Sequence, residues 1–121
     1  MLWNKMVPRI LMLMNGEQYF QLQPLQRTSP CTFVRYDRDL TPNVIGNYLD
    51  NHRQDFDSVA VLSGRENEII RLILNEHFSG PKILFDFDGQ TPTNTEYTKI
   101  TCPVRISDFE RTVREAFAAL R

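Results

Sequence analysis

Two aspartates two positions apart, Asp86 and Asp88, close an apolar run in Pro81–Gly89, PKILFDFDG. A carboxylate at the carboxyl end of a buried strand is well placed for chemistry. It can hold Mg²⁺ or attack a phosphoryl group, and this edge of an open α/β sheet is where ligands gather. Asn15, Ser63 and Arg65 end or follow other apolar runs, so the same edge would collect them. Arg65 is the cation of that set and would meet an anion at a helix N-terminus. The plainer reading of Asp86 and Asp88 is that they terminate a strand and turn the chain, accepting hydrogen bonds from local amides.

Other candidates have simpler explanations. Ser63 lacks the G-x-S-x-G context of a nucleophile elbow, and Ser63-Gly-Arg-Glu66 matches a capping box instead. His52 and His77 fall near the ends of expected helices, where a partly charged imidazole favours the dipole. Asn15-Gly16-Glu17 is too short for a phosphate-binding glycine loop. Cys31 and Cys102 have no metal-ligand spacing and read as reduced thiols of a cytosolic protein.

The elements that would position these residues alternate. Arg9–Met14 reads as a first buried strand, and residues 17–28 as one or two helical turns broken at Pro24. Cys31–Tyr36 is a β-branched and aromatic second strand. Thr41-Pro42 starts a helix, with Val44, Ile45, Tyr48 and Leu49 at helical spacing and Gly46 weakening it by ~1 kcal/mol. Ser58–Leu62 is a third strand. A helix then begins at Ser63, with Ile69, Ile70, Leu72, Ile73 and Phe78 as a wide apolar face, and Gly80-Pro81 stop it. The strand Lys82–Phe87 follows, then a polar loop to Tyr97 and a short fifth strand, Lys99–Cys102. Ser107-Asp-Phe-Glu110 opens a last helix with Phe109, Val113, Ala116, Phe117 and Leu120 on one stripe. Strands alternating with helices imply crossovers and a parallel sheet.

With 121 residues, 41% apolar and 24% charged, the chain is expected to be a single domain (1–121) of ordinary globular composition. Ending on a helix, it is expected to be a fragment cut at a domain boundary. A net charge of -1 leaves no basic footprint for direct nucleic-acid binding. The run Ile10–Met14 is too short for a signal peptide, and no stretch approaches the ~20 apolar residues of a membrane span. The expected location is cytoplasmic.

The element order, and above all Cys102-Pro-Val-Arg-Ile-Ser-Asp-Phe-Glu-Arg-Thr-Val-Arg-Glu-Ala-Phe117, resembles the receiver domain of bacterial response regulators. Receivers carry Lys-Pro here, then a loop and a helix. The resemblance implies a doubly wound, five-stranded parallel sheet, receiver- or flavodoxin-like, of order 2-1-3-4-5, with the fourth helix weak or missing. It also implies what is lost. A receiver phosphorylates an aspartate after its third strand, with Mg²⁺ held by an acidic pair after the first. Here the third strand runs into Leu62-Ser63-Gly64-Arg65, and the first into Asn15-Gly16 with Glu17 the only nearby acid. Cys102 replaces the lysine, and Asp86 or Asp88 the hydroxyl residue. The expectation is a pseudo-receiver: not an enzyme, with no catalytic residues, metal or cofactor. It would signal by protein contacts, through a homodimer or another domain, in a regulator of transcription. The face expected to pair holds Val104, Ile106, Asp108, Arg111, Arg114 and Glu115.

LFDFDG also resembles the first motif of haloacid-dehalogenase-type phosphatases, which would make Asp86 the nucleophile and Asp88 a general acid. Gln90 stands where that motif has threonine, too little chain follows for the family's later residues, and the motif falls on the fourth strand instead of the first. A small-anion sensor at Asn15, Ser63, Arg65, Asp86 and Asp88 is the other alternative.

Overall fold

The computed structural model describes residues 8–24, 31–86, 97–101 and 111. It is an α/β fold around a parallel sheet. In chain order the described elements are β1 (Arg9–Met12), α1 (Gly16–Gln21), β2 (Thr32–Arg35), α2 (Pro42–Asn51), β3 (Ser58–Leu62), α3 (Glu68–His77), β4 (Lys82–Asp86) and β5 (Thr98–Thr101). Short 3-10 turns, Arg53–Asp55 and Arg65–Asn67, precede β3 and α3. The strands lie in the order β2-β1-β3-β4, and Thr98–Thr101 runs parallel against β4 with Ile83 opposite Thr98.

The central strands behave as apolar β-formers buried on both faces, while β2 at the sheet's edge is exposed to half-buried. All five residues of β3 and of β4 are buried, as a central parallel strand requires. Alternation splits the core in two. Ile10, Met12, Ala60, Leu62, Ile83, Phe85 and Ile100 fill one face with Leu22 and Tyr19, so α1 lies on that side. Leu11, Val59, Val61 and Leu84 fill the other with Ile45 and Leu49 of α2 and Ile70 and Leu74 of α3.

The helix starts explain themselves locally. Asn15 caps α1 through a reciprocal box: Asn15 Oδ1 accepts from Gln18 N at 2.8 Å, and Gln18 Oε1 accepts from Asn15 N at 3.2 Å. The helix stops at Gln21, ahead of Pro24. Pro42 occupies the first turn of α2 after Thr41, whose side chain makes no capping bond. Gly46 has a packing reason. A Cβ there would stand 2.9 Å from Nε2 of His77, so the missing side chain lets α3 close on α2.

Two expectations around α3 are corrected. The helix does not begin at Ser63, because Gly64 sits at φ +104°, a conformation that an L side chain rarely adopts. The Arg65–Asn67 turn intervenes, and Asn67 is the N-cap residue, without a side-chain capping bond. Nor is the apolar face of α3 as wide as its sequence. Ile70 and Leu74 are buried, whereas Ile69 and Leu72 are 58% and 55% exposed. Lys82–Asp86 forms the described part of the expected strand, and residues 87–96, its expected last residue and the polar loop up to Tyr97, lie outside the described residues. The last helix also lies outside them, apart from Arg111 in helical conformation.

Candidate functional site

The carboxyl edge of the sheet is where the sequence places its chemistry, and the described residues define much of it. The β3–β4 register pairs Leu62 with Phe85, so Ser63 and Asp86 follow side by side at the edge. The ladder continues one step, Ser63 N donating to Phe85 O at 2.9 Å. Both residues are buried, at 6% and 1% exposure. Just beneath them Met14, Leu62 and Phe85 belong to one apolar cluster. The first strand therefore delivers Leu13 and Met14, both buried, to the edge where a metal site would need carboxylates.

The loop after β3 is held from below. Arg71, one turn into α3, donates from Nη1 to Leu62 O at 2.9 Å and to Gly64 O at 3.0 Å. Asn67 donates from Nδ2 to Ser63 O at 2.8 Å. Three consecutive carbonyls thus have side-chain donors, one of them a guanidinium, and charge-assisted bonds of this kind are the stronger ones. Glu66 lies over Gly64, whose added Cβ would meet Oε1 at 2.6 Å. Tyr97, at the entry to β5, donates to Asn75 Oδ1 at 3.0 Å, with Arg71 O at 3.4 Å. The same arginine thus bonds the loop through its side chain and meets the β5 entry through its carbonyl.

Of the residues proposed from sequence, Ser63 and Asp86 come together. Asn15 reaches the edge, but its side-chain oxygen accepts from its own helix. Arg65 is exposed. Asp88 lies outside the described residues, as do Val104, Ile106, Asp108, Arg114 and Glu115 of the expected pairing face. Arg111 of that face is exposed. Among the described residues no group of three or more histidine, cysteine, aspartate or glutamate side chains is arranged to hold a metal. No helix among them is long and apolar enough to cross a membrane.

Sequence reasoning missed Arg71 and Arg35. Arg71 left a signal, a cation inside the apolar run Ile69–Leu74. Arg35, leaving β2, sits over the rings of Tyr19 and Phe20 at 5.6 and 5.2 Å and packs on Gly16. Next to it Tyr36 is buried, and its hydroxyl donates to the carbonyl of Asp39. Burial, with the negative charge of Asp39 adding to it, pushes the Tyr36 phenol up to about 12. Tyr48, edge-on to Tyr36 at 5.0 Å, is raised by burial too, and the charge of Asp37 adds to the shift.

The opposite, amino edge carries ion pairs. Arg9 grips Asp57 through backbone and guanidinium, with Nη2 to Oδ1 at 3.2 Å, and this bond raises the arginine's pKa. His52 Nδ1 lies 3.0 Å from Asp55, its ring stacked on Tyr48. Asp50 is shared between His77 at 3.0 Å and Arg53 at 3.8 Å. A shallow depression of about 590 Å³ opens among Asp50, Asn51, Arg53, Gln54 and Asp55. With this geometry in hand, comparisons with protein-family models, with curated proteins and with solved structures find no match to the chain.

Proposed function

We propose that this chain is a receiver-type signalling domain that has given up phosphotransfer and acts through protein contacts. The observation that carries the reading is the loop after β3. In a receiver that loop presents the phosphorylated aspartate. Here it is Ser63-Gly64-Arg65, its carbonyls at 62, 63 and 64 held by Arg71 and Asn67. Phosphoryl transfer works by positioning plus charge stabilisation. This loop supplies neither an acceptor carboxylate nor, with Leu13 and Met14 opposite, a carboxylate pair for Mg²⁺. The strand order supports the same reading. With Thr98–Thr101 beside β4 it reads 2-1-3-4-5, the receiver and flavodoxin-like arrangement.

An anion sensor at the same edge is less well supported. Asn15 is engaged by its own helix, Arg65 faces solvent, and the buried carboxyl of Asp86 would oppose an anion beside Ser63. In this reading the contacts of the domain lie on the face around Val104, Ile106 and the last helix. Its output is exerted on a neighbouring domain or a second copy.

The test is a thermal melt with and without Mg²⁺ and beryllofluoride, which mimics a bound phosphoryl group. A ligand at 100 times its Kd would add about 2.7 kcal/mol. An unchanged midpoint is expected. A clear rise would show that the edge still binds metal and phosphoryl, and the reading would fall.

A further inference from the structure

The outward side of α3 holds a stripe that the core does not use. Ile69, Leu72 and Glu76 of α3 follow one another at steps of three and four residues, the spacing of a single helix face, and Arg65 stands ahead of them in the 3-10 turn that leads into the helix. All four are exposed, the two apolar residues more than half. Among the described residues neither Arg65 nor Glu76 makes an ion pair. The stripe is apolar at its centre, positive at its start and negative at its end.

We infer that this stripe is a contact between two copies of the chain, paired antiparallel about a two-fold axis between residues 70 and 71. That operation sets Ile69 against Leu72 of the second copy and brings each Arg65 to the other's Glu76. A two-fold contact must be self-complementary, and opposite charges at the two ends of the stripe, equally far from its centre in sequence, meet that condition. A parallel pairing would set arginine on arginine and glutamate on glutamate. The two-turn stripe is small beside the ~1,200 Å² that marks a stable interface, so the dimer is weak and forms at high local concentration. This inference does not rest on the receiver-type reading, whose contact face lies on other elements.

Sedimentation equilibrium of the full chain, from ~0.05 to ~1 mM, tests it, with a dissociation constant on the order of 0.1–1 mM expected. I69S/L72S is expected to weaken association at least ~10-fold, a loss of ~1.4 kcal/mol. R65E alone and E76R alone each place like charges together and weaken it. Mixed in equal amounts they restore it, because the heterodimer regains both opposite-charge contacts. Circular dichroism confirms that each variant is folded, and the charge variants change only solvent-exposed side chains. A chain that stays monomeric to ~1 mM overturns the inference. So does a dimer unaffected by I69S/L72S, or a mixture that associates no better than its two components.

Discussion

At the carboxyl edge of the sheet Arg71, Asn67 and Tyr36 aim their donors at main-chain carbonyls. At the amino edge Arg9, His52 and His77 aim theirs at aspartates. The first kind of bond fixes the path of the backbone and lies partly or wholly out of water. The second joins charges that remain hydrated, with side chains 32–59% exposed in the Arg9, His52 and His77 pairs. Exposed pairs contribute little because water screens them and long side chains lose freedom on pairing. A buried carbonyl deprived of its donor has no such substitute. The amino edge has carbonyl-directed donors as well, Ser58 Oγ to Pro81 O at 2.8 Å and Arg53 Nη2 to His77 O at 3.1 Å, so the contrast lies between the two kinds of bond.

Arg71→Met gives the largest expected effect. It keeps the apolar stem but strips Leu62 O and Gly64 O of their charged donor, at a cost of about 2–3 kcal/mol in urea unfolding. A loss below ~0.5 kcal/mol would mean that water replaces the guanidinium and that the two kinds of bond do not differ. A second, intermediate effect comes from alkali. The Tyr36 phenol titrates at about 12 in the folded chain and at 10.0 without the fold. The raised value means the folded state holds its proton longer, so this stabilisation is complete below pH 10 and is lost as pH rises through 12. Tyr36→Phe flattens that decline. Stability followed from pH 9 to 12, with tyrosinate absorbance alongside, checks the assignment. The smallest effect belongs to the amino edge. Asp57→Asn removes the charge facing Arg9 and costs under ~1 kcal/mol, less still at high salt. A larger, salt-independent cost would erase the contrast.

Much of this was legible in the chain. Ser58–Leu62 is a strand with the boundaries its composition marks, and Thr41-Pro42 opens α2 as such a pair does. The failures cluster after β3. Ser63-Gly-Arg-Glu66 satisfies the capping-box pattern, but a pattern cannot reveal that Arg71, two turns away, claims the carbonyls and leaves Gly64 at positive φ. Conversely Asn15-Gly-Glu-Gln18 forms a working box at the start of a segment read only as one or two helical turns. Ile69 and Leu72 passed as core because apolar character was equated with burial, while Leu74, fully buried, was left out of that face. Ser63 and Asp86 stand next to each other because the β3–β4 register pairs Leu62 with Phe85. What the edge does with them depends on long-range hydrogen bonds, which have no local spacing.

The notch at Gly46 carries a consequence for how this chain can change over generations. Alanine would be the easier residue for the middle of α2, by ~1 kcal/mol, yet any methyl there runs into the ring of His77, 31 positions later. The two sites are therefore bound to drift together. A lineage that replaces the histidine with a small residue frees position 46 to become alanine, and one that acquires alanine first must move or lose the ring. In descendants of this chain, glycine at 46 with a ring at 77 and alanine at 46 with a small residue at 77 are the two unhindered pairings, and alanine beside the ring requires the imidazole to swing away from its place by Asp50.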